Sequence, residues 1–308
     1  MSNAHQQSNL PNAPTCIQSI ISASTSASSQ PTRTAFSQFS LLGRTALVTG
    51  ARRGLGLEYA LVLAEAGAVV YCMDVEEQAG EEWEGVRKWV EGLGELGEEF
   101  GGAAGRSNEK GEEGKRPRKG RMEYVCGDIR DKAGVENIVE RIVEVEGGID
   151  VCVANAAIMG SAPCLEYEEG EMRKIIDTNV MGTLFTAQAV GKQMERLGIR
   201  GSIILMASLA GSVACKGIEN MAYSICKAAV IQMARSMASE LGSKGIRVNS
   251  VSPSYTMTAM VKAAVDAYPA LRDMVANNPL QRIAMPEELR GVMLWLASDA
   301  GSFMTGRE

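Results

Sequence analysis

The chain has 308 residues, 45% of them hydrophobic, and a formal net charge of −6 at pH 7. This length and composition can supply a large core, and the mild acidity without a long basic stripe argues against nucleic acid as the main partner. The only histidine is His5, in a polar N-terminal stretch, so a Ser-His-Asp triad and a histidine-based metal site are excluded from the folded part and no metal is expected.

The spacing of the cysteines and the lengths of the apolar runs predict the cellular compartment of the protein. The 7 cysteines are scattered without paired spacing, which indicates free thiols in a reducing compartment and no zinc site. No apolar run reaches the roughly 18 to 20 residues of a membrane span, and the N-terminus lacks the apolar block of a secretory signal. We therefore expect a soluble cytoplasmic protein that does not use the membrane.

From Thr45 onward, apolar stretches typical of buried strands alternate with stretches whose apolar residues recur at helical spacing. The predicted strands are residues 45–50, 69–74, 122–128, 149–157, 202–208 and 246–253. Helices are predicted over residues 55–67, from about 75, over 135–145 and 172–194, and around Tyr223. This alternation predicts one α/β domain over residues 41–308, a doubly wound parallel sheet of the Rossmann type.

Two segments fall outside this alternation. Residues 1–40 are polar and contain no acidic residue, which predicts a disordered leader. A mitochondrial presequence is the alternative, but Arg33 is the only Arg or Lys of this segment and such presequences are rich in arginine. Residues of about 97–121 are charged and Gly-rich, which predicts a solvated inserted loop, with partner binding as the alternative.

A glycine-rich sequence, TGARRGLG, follows the first predicted strand and opens a helix. Gly50, Gly54 and Gly56 permit a tight turn and a close approach of the backbone to a ligand. The N–H groups of the first helical turn, which includes Leu55, attract an anion. The glycine spacing is slightly wider than the usual fingerprint, but its place between a strand and a helix predicts that it binds the pyrophosphate of a dinucleotide.

Charged residues near this turn bear on which dinucleotide is bound. Asp74 ends the second predicted strand, where a carboxylate accepts hydrogen bonds from the adenosine ribose and repels the 2′-phosphate of NADP. Arg52 and Arg53 act in the opposite sense, because a guanidinium can pair with that phosphate. NAD is favoured and NADP stays open. Asp128, at the end of the third strand, is suited to accept from the adenine amino group, or else to cap the next helix.

Tyr223 and Lys227 lie four residues apart on a predicted helix, so both side chains can point into one cleft. Taken alone, the pair is more typical of a half-buried tyrosine beside a lysine whose amine reaches solvent. Two further polar residues precede this pair in the sequence. Ser208 ends a predicted strand, and Asn179, in NVMG, lies within a predicted helix. A phenol needs a nearby positive charge to serve as acid and base at neutral pH.

The order of these motifs resembles the short-chain dehydrogenase/reductase (SDR) family, and within it fungal sugar and polyol reductases and secondary-metabolite ketoreductases. The resemblance covers residues from about 41 onward and rests on TGARRGLG, Asp128, ANAA from Asn155, Asn179, Ser208, YSICK and SPS at 252–254.

The resemblance implies an NAD(P)-dependent oxidoreductase that interconverts a secondary alcohol and a ketone. Tyr223 would be the acid and base, Lys227 would tune it and hold the nicotinamide ribose, and Ser208 would bind the substrate oxygen. Asn179 would hold a water molecule that returns protons. The resemblance further implies that Asn155, Thr256 and Thr258 contact the cofactor, and that the protein forms a homodimer or homotetramer acting on a small carbonyl or alcohol.

The sequence also departs from the family pattern at two places. Ser254 stands where family members usually have Gly, and the pattern of a further strand and Gly-rich tail does not follow Gly306. The sheet is therefore expected to lack its last strand and to leave an open edge. A catalytically compromised nucleotide-binding protein is the alternative function that these departures suggest.

Overall fold

Parallel strands alternate with helices in the computed structural model, which describes residues 35–93, 120–215, 217–258, 261–262, 265 and 278–308. The described strands are β1 Thr45–Thr49, β2 Val69–Asp74, β3 Arg121–Cys126, β4 Val151–Ala154, β5 Ser202–Met206 and β6 Arg247–Val251. They form one sheet in the order β3-β2-β1-β4-β5-β6, and every pair is parallel.

The helices cover both faces of the sheet. Those of the described residues are α1 Gly54–Glu65, α2 Glu81–Gly92, α3 Lys132–Glu146, α4 Glu169–Ile176, α5 Thr183–Leu197, α6 Met221–Leu241 and α7 Arg290–Ala297, with a π-helical turn, Asp177–Gly182, between α4 and α5. Successive β1 side chains point to opposite faces. Ala46 and Val48 pack with α1, α2 and α7, whereas Leu47 packs with α3, α5 and α6.

Most predicted elements agree with the structure, and β2 agrees to the residue. The start predicted for the second helix, at about Val75, is wrong. The helix begins at Glu81, because Gly80 before it has a φ of 85°, which is not a helical value. The helix predicted over 172–194 is divided by the π turn.

Of the predicted disordered leader only residues 35–40 are described, and they include a 3₁₀ turn over Phe36–Phe39. Of the predicted insertion only residues 120–121 are described, and Arg121 already belongs to β3.

The edge of β6 is partly paired by the chain that follows α7. Gly306 N donates to Val248 O at 2.7 Å, and Ser250 N donates to Arg307 O at 2.8 Å. The described residues contain six strands, as expected. The edge of β6 is less open than predicted, because the chain around Gly306 and Arg307 pairs with part of it. Within those residues no helix is long and apolar enough to cross a membrane, and no group of metal-binding side chains is assembled.

Arg247, at the start of β6, holds the end of α7 in place. Its guanidinium donates to the carbonyl oxygens of Leu296 at 2.6 Å, Ser298 at 3.3 Å and Met304 at 3.3 Å. These carbonyls lie at or beyond the last turn of α7, where helical partners are missing. Burial lowers the pKa of Arg247 to about 10, so the side chain stays charged at neutral pH.

We predict that Arg247→Met lowers the free energy of unfolding by about 1 to 2 kcal/mol, because it removes three hydrogen bonds of a partly buried guanidinium. Two of the three carbonyls, those of Leu296 and Met304, each keep a second donor. Arg196→Met is the matched control, since Arg196 donates to Gln193 on the exposed face of α5 and should change stability by less than about 0.5 kcal/mol. Urea unfolding followed by circular dichroism measures both. Equal stability of the two variants would contradict the prediction.

Candidate active site

The predicted site residues gather where the strands end, because all six strands point their carboxyl ends to the same edge of the sheet. The strand order changes direction between β1 and β4, and ligands bind beside such a switch point in open α/β sheets. The glycine-rich turn follows β1, and Asn155 follows β4. Ser208 follows β5 at the same edge.

The three glycines of the turn are required for different reasons. A Cβ on Gly56 would lie 2.1 Å from Gly50 O, and a Cβ on Gly50 would lie 2.8 Å from the Cα atom of Ala156. Gly54 has a φ of 59° and open space where a Cβ would project, so its conformation rather than contact favours glycine. Leu55 lies in the first turn of α1, whose N-cap residue, Arg53, makes no side-chain capping bond. The turn therefore offers unpaired N–H groups, as a pyrophosphate requires.

Asn155 braces this turn from β4. Its Nδ2 atom donates to Thr49 O at 3.0 Å and to Gly50 O at 3.1 Å. In return, Thr49 Oγ1 accepts from the backbone N–H groups of Asn155 and Ala156, both at 3.1 Å. Thr49 was missed by the sequence reasoning, although a hydroxyl directly before Gly50 was a usable signal.

Asp74 lies beside the same turn. Its carboxylate accepts from the backbone N–H of Arg52 at 3.1 Å and of Val75 at 2.9 Å. The Arg52 guanidinium reaches across the loop after β2 and donates to Gln78 O at 3.0 Å, whereas Arg53 is exposed. The predicted contact of Asp74 with an adenosine ribose stays a prediction.

Asp128 is bound by its own neighbour. Both carboxylate oxygens accept from the Arg130 guanidinium, at 2.5 to 3.0 Å, and these hydrogen bonds lower the pKa of Asp128. The N-cap of α3 is Asp131 rather than Asp128, so the capping alternative for Asp128 is wrong. The predicted contact of Asp128 with adenine stays a prediction.

Tyr223, Ser208 and Lys227 are brought together as the sequence predicts. The Ser208 hydroxyl lies beside the Tyr223 phenol, close enough to lower its pKa. The Lys227 Nζ atom lies 5.4 Å from the centre of the Tyr223 ring and donates to Met206 O at 2.6 Å. Lys227 is only 2% exposed, so it is not a lysine that reaches solvent.

Burial raises the pKa of the Tyr223 phenol above its ordinary value, and the hydrogen bond from Ser208 opposes this by lowering it. Burial also lowers the pKa of Lys227 to about 8. A pKa of about 8 leaves most of the lysine protonated at pH 7. A positive charge therefore lies beneath the phenol ring, where it favours the phenolate form.

Asn179 lies in the π turn and is fully buried. Its side chain forms two hydrogen bonds with the backbone of Ile158, accepting from the N–H and donating to the carbonyl, each at 2.8 Å. Asn179 therefore positions the loop after β4. Its predicted role in holding a water molecule stays a prediction.

The chain after β6 brings the remaining predicted residues to the same edge. Thr256 is buried and donates to Ser254 O at 3.0 Å, and Thr258 Oγ1 accepts from Val261 N at 3.3 Å. Ser254 does not have a positive φ, so the serine causes no backbone strain there. Tyr255, which the sequence reasoning missed, has a pKa raised to about 12 by burial and by its contact with Cys215.

Comparison with known proteins identifies the family. A family model described as Enoyl-(Acyl carrier protein) reductase matches residues 104–308. The chain is 30% identical to the short chain dehydrogenases/reductase notP' of Aspergillus versicolor, covering 88% of this chain and 86% of the relative. It is also 30% identical to the galactitol 2-dehydrogenase of Rhizobium johnstonii, covering 87% of this chain and 93% of the relative. The chain belongs to the short-chain dehydrogenase/reductase family.

A solved structure agrees with this SDR assignment. The crystal structure of a gluconate 5-dehydrogenase from Burkholderia cenocepacia in complex with NADP and tartrate matches with a TM-score of 0.72 at 27% identity, over 89% of this chain and 95% of that chain. The predictions of the SDR family and of a Rossmann-type parallel sheet are therefore confirmed. The chain is an oxidoreductase of a family that acts on alcohols and ketones.

Proposed function

We propose that this SDR enzyme interconverts a secondary alcohol and a ketone with NAD(P), using Tyr223 as the acid and base. The observation that carries the proposal is the convergence of Ser208 and Tyr223 with the buried amine of Lys227, which lies 5.4 Å from the centre of the Tyr223 ring. A noncatalytic nucleotide-binding protein would not need a buried ammonium group beside a phenol ring and a serine hydroxyl. That alternative is therefore not favoured.

Each residue contributes a separate part of the reaction. The glycine-rich turn and Lys227 would hold NAD(P), whose nicotinamide would supply or accept the hydride at the carbonyl carbon. When substrate is bound, the single proton of the Ser208 hydroxyl turns from Tyr223 to the substrate oxygen and stabilises the negative charge that develops on it. In reduction, Tyr223 transfers its phenol proton to this oxygen, and the Lys227 ammonium stabilises the resulting phenolate. In oxidation the same groups act in reverse.

The relatives bear on the substrate class. Galactitol 2-dehydrogenase and gluconate 5-dehydrogenase are named for polyol and sugar-acid substrates, which supports a polyol or sugar ketone. The relative from Aspergillus versicolor is named only as a reductase of this family, and a secondary-metabolite ketone is the other class that we propose to screen. A panel of both classes, assayed with NADH and NADPH, separates them.

We expect Tyr223→Phe to lower kcat by about 10²- to 10⁴-fold, because the phenyl ring cannot donate or accept a proton. Cofactor binding, measured by fluorescence titration, should stay within about twofold. Tyr71→Phe is the control, since its hydroxyl donates to Glu146 far from the site. Turnover in the Tyr223 variant equal to that of the control would refute the proposed role.

We propose that NAD is the preferred cofactor. The support is the position of Asp74 at the end of β2, where its carboxylate would face the ribose hydroxyls and oppose a 2′-phosphate. Arg52 is the competing group, although its Nε atom is engaged by Gln78 O. The gluconate 5-dehydrogenase was solved with NADP, so the family alone does not decide the preference.

Replacing Asp74 with Ser should raise the ratio of kcat/KM for NADPH over NADH by at least about tenfold, or about 1.4 kcal/mol, because it removes the repulsion of the phosphate. Glu77→Ser removes one negative charge from the exposed loop after β2 and should leave the ratio within about twofold. A native preference for NADPH that Arg52→Gln abolishes would show instead that Arg52 selects the cofactor.

We further infer that the enzyme is a homo-oligomer in which α6 packs against a second copy. Met221 and Ile225 are 36% and 48% exposed, and with exposed Ala228 they form an apolar stripe on one helix face. Ile225→Glu should shift sedimentation toward the monomer, because it buries a charge in the interface. Gln78→Glu, which adds the same charge on the exposed loop after β2, is the control. A native protein that sediments as a monomer would refute this inference.

A further inference from the structure

The Glu308 side chain connects three elements around the site. Its Oε1 atom accepts from the Ser212 hydroxyl at 2.5 Å and from the Ser252 hydroxyl at 2.8 Å. Its Oε2 atom lies 3.5 Å from the Arg235 guanidinium on α6. The two serine hydrogen bonds and Arg235 lower the pKa of Glu308, so the carboxylate is charged at neutral pH.

Ser212 belongs to the short 3₁₀ turn Leu209–Gly211, of which it is the C-cap residue. Ser208 is the N-cap of the same turn, and its Oγ atom accepts from Ala210 N at 3.2 Å. The hydroxyl that contacts Tyr223 is thus fixed to one end of the turn, and Glu308 holds the other end. A displacement of the turn therefore displaces the Ser208 hydroxyl.

The turn has two further supports. Leu209 N donates to Pro253 O at 3.1 Å. Gly211 packs so closely on α6 that an added Cβ would lie 2.6 Å from the carbonyl carbon of Lys227. The turn is therefore held between the end of β6 and the turn of α6 that carries Lys227, and Glu308 joins these same two elements through Ser252 and Arg235.

We propose that Glu308 is a positioning residue for catalysis, which holds the Leu209–Gly211 turn so that the Ser208 hydroxyl stays beside the Tyr223 phenol. This inference rests on the proposed function, because it assigns Glu308 an effect on the acid and base of that reaction. The serine hydrogen bonds carry the effect. The contact with Arg235 adds little, since it is long and the Glu308 side chain is 27% exposed.

Glu308→Ala should lower kcat about 5- to 20-fold and leave the KM for the cofactor within about twofold, because the cofactor residues are untouched. The pH profile of alcohol oxidation supplies a second readout. A weaker hydrogen bond from Ser208 raises the pKa of Tyr223, so the rise of activity with pH should move to higher pH. Glu308→Gln keeps one acceptor oxygen and should give an intermediate kcat.

Double-mutant analysis tests whether Glu308 acts through Ser208. If it does, Ser208→Ala combined with Glu308→Ala should be no slower than Ser208→Ala alone, because the hydroxyl that Glu308 positions is already absent. Glu195→Ala is the control, since Glu195 pairs with Lys244 at 2.6 Å away from the site and should leave kcat and the pH profile unchanged. Thermal unfolding of each variant establishes that it is folded.

The outcomes separate this inference from the proposed function. If Tyr223→Phe and Ser208→Ala abolish turnover while Glu308→Ala changes neither kcat nor the pH profile, only the inference about Glu308 fails. Effects of Ser208→Ala and Glu308→Ala that multiply would also overturn it, since Glu308 would then act by another route. If Tyr223→Phe and Ser208→Ala leave turnover intact, the proposed function itself fails.

Discussion

The common direction of the six strands is the constraint on which the rest of the structure depends. Parallel neighbours cannot be joined by a tight hairpin, so each strand is followed by a crossover that returns the chain to the opposite end of the sheet. Both faces are then covered by helices, and the strands are apolar on both sides, as β1 is. Every loop that follows a strand emerges at one edge, where backbone amides, carboxylates and hydroxyls from distant parts of the chain become neighbours.

Within that edge, the buried amine of Lys227 has the most demanding environment. Desolvation of an ammonium group is expensive, and two contacts compensate for it, the carbonyl of Met206 and the face of the Tyr223 ring. Desolvation also makes the positive charge more effective on its neighbour, because little water screens the field between them. A lysine with its amine in solvent would cost less and would have a weaker influence on the phenol.

The parts predicted from sequence are those that depend on local patterns. The bounds of β2 followed from an apolar run that ends in Asp74, and the Tyr223 and Lys227 pair followed from helical spacing. The helix expected from about Val75 begins only at Glu81. Residues 75–80 are in part polar, and such a sequence is compatible with either a loop or the first turns of a helix. The contacts of Asn179 with Ile158 and of Glu308 with Ser212 join residues far apart in the sequence. The spacing of apolar residues along the chain does not predict such contacts.

The π-helical turn Asp177–Gly182 allows α4 and α5 to pack their apolar faces against two different hydrophobic clusters. A π turn inserts one residue, which rotates the following helix by about 100° relative to an uninterrupted α-helix. On the α4 side, Ile175 packs with Ala222 and Cys226 of α6 in a small separate cluster, whereas α5 packs Ala187 and its neighbours into the main core. Deletion of a single residue here would realign the two faces, so one of them would turn its apolar side chains toward solvent.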